Sequence, residues 1–204
     1  MSLDGKIATA GRESFVLGSR ADIENMLSLR KRAHAIIMGG STIRTYRKYC
    51  GLKDREARQP ANVVLSSRLE SIDPSWPFFE RPGVRRILFV TGRVPPARRA
   101  QFERTSEIIE VRKDRELAPQ MIRELGKRGL HRLAVEGGGG VMWEFAKLNL
   151  IDEYRVTLTP RILGGTEAPT LVDGKGFNPA DSLSLRLKSY VRKGDELYLT
   201  YLKR

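Results

Sequence analysis

The sequence predicts an α/β fold: a mainly parallel central sheet with helices on both faces and an antiparallel strand pair near the C-terminus. Three observations carry this expectation. Short apolar runs alternate with helix-like segments along most of the chain, the signature of repeated strand–helix–strand units. Three of those runs end in glycine- or serine-rich turns. Beyond residue 153 the pattern changes to the two-residue alternation of half-buried strands. A chain of 204 residues is long enough to bury one core, and residues 1–204 are read as a single domain.

Residues 19–32 form the first predicted helix. Ser19 is placed to cap it, Asp22 and Glu24 lie in its first turns, and Arg30, Lys31 and Arg32 close it, each sign of charge at the end that the helix dipole favours. Ile23, Met26 and Leu27 share one face with the stem of Arg30. Ala35-Ile36-Ile37-Met38 is a buried strand stopped by Gly39-Gly40, and a helix begins at Ser41 or Thr42. Asn62-Val63-Val64-Leu65 is the next strand. Residues 69–84 read as loop because Pro74, Pro77 and Pro82 interrupt them. Strands follow at 86–90 and 108–111, then a helix at 116–128 with Gly129 as its left-handed stop. Leu133-Ala134-Val135 is a buried strand leading into Glu136 and four glycines, with a helix over 140–148.

Composition narrows the function classes. No apolar run reaches the roughly 18 residues of a membrane helix, and no signal peptide opens the chain. Cys50 is the only cysteine, which excludes an internal disulfide or thiolate metal cluster and suits a reducing cytoplasm. The net charge of +13 raises nucleic acid as a partner. The basic residues are scattered, however, with no basic tail and no zinc-finger spacing, and they read as a solvated surface that also attracts polyanionic small molecules. His34 and His131 lack metal-ligand spacing, so no metal site is expected. Trp76 and Trp143 read as packing residues and Cys50 as an inert thiol.

The informative residues fall at strand ends. Gly39-Gly40-Ser41-Thr42, Ser66-Ser67-Arg68 and Glu136-Gly137-Gly138-Gly139-Gly140 each follow an apolar strand. Such turns offer backbone N–H groups, and two of them lead into helix N-termini, where phosphate is favoured. Neither G-x-G-x-x-G nor G-x-x-x-x-G-K-[ST] is present. A single such turn more often serves tight packing, but three in one sheet point to one extended phosphate-bearing ligand. Glu136 has no structural duty visible in the sequence.

The resemblance is more specific. Ser2-Leu3-Asp4-Gly5-Lys6, Gly11-Arg12-Glu13-Ser14, Ala35-Ile36-Ile37-Met38-Gly39-Gly40-Ser41-Thr42, Val135-Glu136-Gly137-Gly138, Leu150-Ile151-Asp152-Glu153, and Thr159-Pro160 with Leu163-Gly164-Gly165 resemble, in order, the motifs of the reductase domain of riboflavin-biosynthesis deaminase–reductases. That resemblance implies a dihydrofolate-reductase-like fold and an NADPH-dependent oxidoreductase working on a phosphorylated pyrimidine ribosylamine. The deaminase half of such proteins needs an H-x-E…P-C-x-x-C zinc signature, which one cysteine cannot supply.

Carried over by position, the resemblance implies that Thr42, Ser67 and the stretch Gly138, Gly139, Gly140, Val141 to about Glu144 touch NADPH, with Val16 at a cofactor position that is often Trp. Ser14, Arg30 and Glu136 would touch the substrate, and Glu136 is the candidate catalytic residue. Ser67 with Arg68 favours NADPH over NADH, since a guanidinium pairs bidentately with a phosphate. The family also implies a homodimer, with Leu197, Leu199 and Tyr201 available to pack across a two-fold axis. Two features depart from the family pattern. Arg44-Thr45-Tyr46-Arg47-Lys48 replaces the usual A-D-D-P run, putting Tyr46 at an aspartate position, and Lys53 falls near a family arginine that binds substrate phosphate. Two other readings remain open: a dihydrofolate-reductase-type pterin reductase, for which Asp22 or Glu24 would have to be the buried acid, and a nucleic-acid-binding module on the basic surface.

Overall fold

The computed structural model describes residues 1–54, 57–67 and 69–204; Arg68 lies outside them. The chain divides into two compact units, Met26–Gly137 and a second made of Met1–Asn25 with Gly138–Arg204. Helix α1, Arg20–Arg32, runs from one unit into the other. Ser19 caps it as the sequence predicts, its Oγ accepting the N–H groups of Ala21 at 3.1 Å and Asp22 at 3.4 Å. No residue of α1 is buried: Ile23, Met26 and Leu27 are half-covered only.

The unit Met26–Gly137 is built on a five-stranded sheet. In chain order it contains β1 Ala35–Gly39, α2 Gly40–Tyr46, β2 Ala61–Ser66, α3 Pro77–Glu80, β3 Arg86–Thr91, α4 Pro96–Ala100, β4 Glu107–Val111, α5 Leu117–Gly126 and β5 Leu133–Val135. The strand order is β4-β3-β2-β1-β5 and every pairing is parallel. All residues of β1 and β2 are buried, which is why these strands are nearly continuous apolar runs rather than alternating ones. The three residues of β5 are half-buried where the sequence predicts a buried strand, because β5 pairs only with β1 and forms an edge of this sheet.

Residues 69–84 are not the loop that their prolines suggest. A 3-10 turn at Leu69–Ser71 and helix α3 send Leu69, Ile72, Phe78 and Phe79 into the core. Pro77 begins a helix because the first helical residue needs no N–H partner. Phe78 and Phe79 meet edge-on at 4.8 Å, and Phe79 meets Phe102 at 5.4 Å. Arg86, 5% exposed, closes this insert by donating to the carbonyls of Phe78 at 2.6 Å, Arg81 at 2.7 Å and Val84 at 3.0 Å. Trp76 packs against the same core. The ring of His34 accepts the backbone N–H groups of His131 at 3.1 Å and Arg132 at 3.5 Å through Nδ1, a structural role that ties the entry of β1 to that of β5.

The other unit carries helix α6, Gly139–Ala146, and the strands β6 Glu153–Leu158, β7 Leu185–Lys193 and β8 Glu196–Lys203. The antiparallel feature is a three-stranded sheet, ordered β6-β8-β7, rather than a pair. Asp4 has the local turn role that its neighbour Gly5 suggests. Its carboxylate accepts the Ser2 hydroxyl at 2.6 Å and the N–H groups of Gly164 at 2.7 Å and Leu163 at 3.1 Å. The hydroxyl bond, then the two amide bonds, hold its pKa down at about 2. Trp143 packs on Phe177, with ring centroids 4.8 Å apart.

Candidate active site

In an open parallel sheet, ligands bind beyond the carboxyl ends of the strands where the strand order reverses. Here the chain steps outward from β1 through β2 and β3 to β4, and β5 then returns to the opposite side of β1. The reversal lies between β1 and β5. The turn after β1, Gly39–Thr42, and the turn after β5, Glu136-Gly137, therefore flank it, with the β2 turn at Ser66-Ser67 next in line. A Cβ on Gly137 would lie 3.0 Å from Thr42 Oγ1 and 3.3 Å from Met38 Cβ, and one on Gly40 would lie 2.8 Å from Ser66 Oγ. Both positions need glycine because the turns approach so closely. The result is a set of amides and hydroxyls at the ends of three adjacent strands, the chemistry that a pyrophosphate-bearing dinucleotide requires. Ser67 is exposed at the end of β2.

Glu136, for which no structural duty is visible in the sequence, has an ion-pair partner in the structure. Arg30 forms a fork–fork ion pair with it across 106 positions of sequence: Nη2 to Oε2 at 2.6 Å, and Nε to Oε2 at 2.9 Å and to Oε1 at 3.0 Å. The two side chains are 13% and 18% exposed, and their planar groups match in geometry. Burial lowers the pKa of Arg30, but the bonds and charge of Glu136 outweigh it and raise the pKa overall. The Glu136 backbone N–H continues the sheet ladder to Ile37 O at 2.9 Å, fixing the base of the side chain. Arg30 is thus paired with a carboxylate, and what the site presents is the pair.

Arg30 Nη1 also reaches Gly51 O at 3.5 Å, and the neighbouring segment is pinned on several sides. Asn62, fully buried on β2, accepts the Cys50 N–H at 2.7 Å and donates to the Cys50 carbonyl at 2.7 Å. Gln59 accepts the Leu52 N–H at 2.9 Å. Arg81 lies over the Tyr49 ring, 4.3 Å from its centroid, and bonds to its hydroxyl. Lys53 follows this segment and is exposed. Burial first, with the Glu136 charge adding, pushes the Cys50 thiol up to about 11 against the opposing pull of Arg30, which disfavours the reactive thiolate.

In the second unit, Gly138 precedes α6 with φ 74°, a left-handed value that favours glycine. Gly139 is buried, and a Cβ there would collide with the Asp173 carboxylate. A Cβ on Gly140 would meet nothing within 4 Å, so the space over the first turn of α6 is open. Val141 is 8% exposed, and its N–H already donates to Gly138 O at 3.0 Å, which leaves the amides of Gly139 and Gly140 as the ones a helix start offers to a ligand. Ser14 is exposed, and Val16 is 62% exposed. The sequence reading missed Asn62, although a polar residue inside an otherwise apolar buried strand is a signal that a partner must exist.

Among the described residues, no group of three His, Cys, Asp or Glu side chains is placed to hold a metal ion, and no helix is long and apolar enough to cross a membrane.

A family model described as the RibD C-terminal domain matches residues 1–199. The chain is 30% identical over 207 residues to a 2,5-diamino-6-ribosylamino-4(3H)-pyrimidinone 5′-phosphate reductase of Methanothermobacter thermautotrophicus, covering 98% of this chain and 94% of that protein. It is 28% identical to a protein of the same name from Aquifex aeolicus, over 97% of this chain and 90% of the other. In structure it is similar to RibD of Acinetobacter baumannii, with a TM-score of 0.83 at 19% identity; the match covers this whole chain and 55% of that one. The chain thus spans about half the length of that protein, and this likeness speaks for the fold.

Proposed function

The chain belongs to the RibD C-terminal domain family, and from that premise we propose that it is the NADPH-dependent reductase that converts 2,5-diamino-6-ribosylamino-4(3H)-pyrimidinone 5′-phosphate to its ribityl product in riboflavin biosynthesis. The substrate assignment follows the relatives matched over nearly their full length. 5-Amino-6-(5-phosphoribosylamino)uracil is the second substrate to test. The observation that carries the reading is the three glycine–serine turns side by side at the carboxyl ends of β2, β1 and β5, with the Arg30–Glu136 pair rising from the last of them.

NADPH supplies a hydride when bound. The chain's own residues bind and orient. Thr42 and Ser67, with the unmodified backbone at Gly40 and Gly137, accommodate the phosphates in one unit. Val16, Gly138, Gly139, Gly140 and Val141 are the proposed cofactor contacts in the other. Glu136 is held by Arg30 so that its carboxylate meets the substrate in a fixed orientation and favours positive charge at C1′ as the sugar ring opens. Ser14 and Lys53 are the remaining proposed substrate contacts, with Lys53 serving the 5′-phosphate. The location we propose is the cytoplasm, and no nucleic-acid partner is proposed.

Titration of the purified protein with NADPH and NADH tests the cofactor assignment: NADPH is expected to bind at least tenfold tighter, about 1.4 kcal/mol. Equal affinities would overturn it. We also propose a homodimer through the three-stranded sheet. Leu187 and Tyr190 of its edge strand β7, opposite Tyr201 and Leu199 on one face, are 46% and 70% exposed, an apolar patch that a second copy would cover. Sedimentation at the 23.1 kDa mass of one chain at micromolar concentration would contradict this.

A further inference from the structure

Tyr49 and Arg81 belong to none of the motifs above. Tyr49 follows the run where this chain departs from the A-D-D-P pattern, and Arg81 is the residue at which α3 ends, in the segment between β2 and β3. The fold brings them together across 32 positions. The Arg81 guanidinium lies over the Tyr49 ring, and its Nη1 donates both to the Tyr49 hydroxyl and to Leu52 O, the latter at 3.3 Å. Arg81 is itself fixed, because Arg86 Nη2 holds its carbonyl at 2.7 Å. The Tyr49 ring packs against the core and also against Gly51. A Cβ on Gly51 would stand 2.8 Å from Tyr49 Cε2 and 2.7 Å from Gln59 Oε1, so only glycine fits between them. The carbonyl of this wedged residue is the one that Arg30 Nη1 reaches at 3.5 Å. Contacts therefore run without a break from α3 through Arg81, Tyr49 and Gly51 to the Arg30–Glu136 pair.

A fork–fork ion pair fixes its two side chains relative to each other, not relative to the rest of a site. Arg30 has a long, flexible stem on a helix with no fully buried residue. Its Nε and Nη2 serve Glu136, which leaves Nη1 to set the direction of the guanidinium plane through Gly51 O. A carboxylate that must meet a reacting carbon needs such outer support, since small displacements weaken it. We propose that Arg81, through Tyr49, is a positioning residue for the reduction: it holds Gly51 against Arg30 and so sets the direction in which the Glu136 carboxylate meets the substrate. The proposal rests on the reductase reading above. It gives the segment between β2 and β3 a part in the reaction, although no residue of that segment touches substrate or cofactor in that reading.

The test is a double-mutant cycle on single-turnover hydride transfer from NADPH to the faster of the two substrates named above, with both ligands saturating. The wild-type protein, Arg81→Ala, Glu136→Gln and the double variant are compared, each with its NADPH titration and melting temperature. Arg81→Ala is expected to slow transfer on the order of tenfold while NADPH affinity stays within about twofold. In the Glu136→Gln background the oriented carboxylate is already gone, so the same change should slow transfer by about twofold or less. Tyr49→Phe, which keeps the stack and removes only the hydroxyl, should fall between wild type and Arg81→Ala. Arg81→Lys keeps a cation but not the planar fork, and it carries the same cycle if the alanine variant melts early. Equal slowing in both backgrounds means that Arg81 only braces the fold, and it overturns the proposal. An unchanged rate, or a loss explained by weaker NADPH binding, overturns it too. If the wild-type protein transfers hydride and any of these results follows, this inference alone fails. If it reduces neither substrate, the reductase reading fails and takes this inference with it.

Discussion

Glu136→Gln is expected to lower turnover by roughly 10²-fold or more, the scale seen when one preorganised electrostatic contact is removed, while NADPH affinity stays within about twofold. The pairing with Arg30 makes the prediction sharper. In the native site the two side chains together are neutral, and on the proposed reading the carbon that accepts hydride would face the near end of an oriented pair. Glutamine keeps the size and one acceptor oxygen but leaves the guanidinium uncompensated, and a net positive charge then stands beside a carbon that must itself become positive. The loss should therefore appear in single-turnover hydride transfer rather than in cofactor binding. Some thermal stability should go as well, because an acceptor is removed from a largely buried charge; a loss of about 1–3 kcal/mol is expected. Melting temperature, NADPH titration and single-turnover rate measured on the same variant separate these effects. An unchanged rate, or a rate loss that follows weakened NADPH binding, would show that the carboxylate only braces Arg30.

The largest effect on stability is expected at Asn62. Its carboxamide serves both the N–H and the carbonyl of Cys50 and also reaches Pro60 O at 3.2 Å. No other uncharged side chain offers a donor and an acceptor in that arrangement apart from glutamine, which is longer. Asn62→Ala leaves buried backbone groups unsatisfied at about 1–3 kcal/mol each, and a total near 3 kcal/mol is expected. For a chain of this length that is a fall in melting temperature of roughly 6–12 °C. The same cut should release the Cys50 segment and let its thiol react with a disulfide reagent faster than in the parent protein. A melting temperature within about a degree of the parent, with unchanged thiol reactivity, would mean that water already serves the Cys50 backbone.

The sequence reveals the parallel strands and hides the pairings. β1, β2 and β3 are legible because strands buried on both faces become unbroken apolar runs, and α1 is legible because Ser19 and the terminal charges obey local rules. Residues 69–84 are misread because a proline that breaks a helix interior is also the residue best suited to start one. Arg86 resembles a surface residue until its three carbonyl partners are seen. At the site, the glycines mark where backbones approach, a constraint local enough to read directly. The Arg30–Glu136 pair depends on which strand ends become neighbours, and that is decided by the order β2-β1-β5 rather than by any short stretch of sequence.

The division of the chain into an uninterrupted unit, Met26–Gly137, and one assembled from Met1–Asn25 with Gly138–Arg204 has a consequence during synthesis. Every strand of the parallel sheet has emerged once β5 is made. Ser19, by contrast, donates its backbone N–H at 2.6 Å and its hydroxyl at 2.7 Å to Glu196, 177 positions downstream. At the ribosome's pace of about 5–20 residues per second, the beginning of the chain waits on the order of 10–40 s for that partner. Throughout that interval the segment before α1 is open to chaperones and proteases. Nascent chains arrested before β8 should therefore be cleaved within Met1–Asn25 well before the parallel sheet is cut, because β8 carries the carboxylate that Ser19 binds.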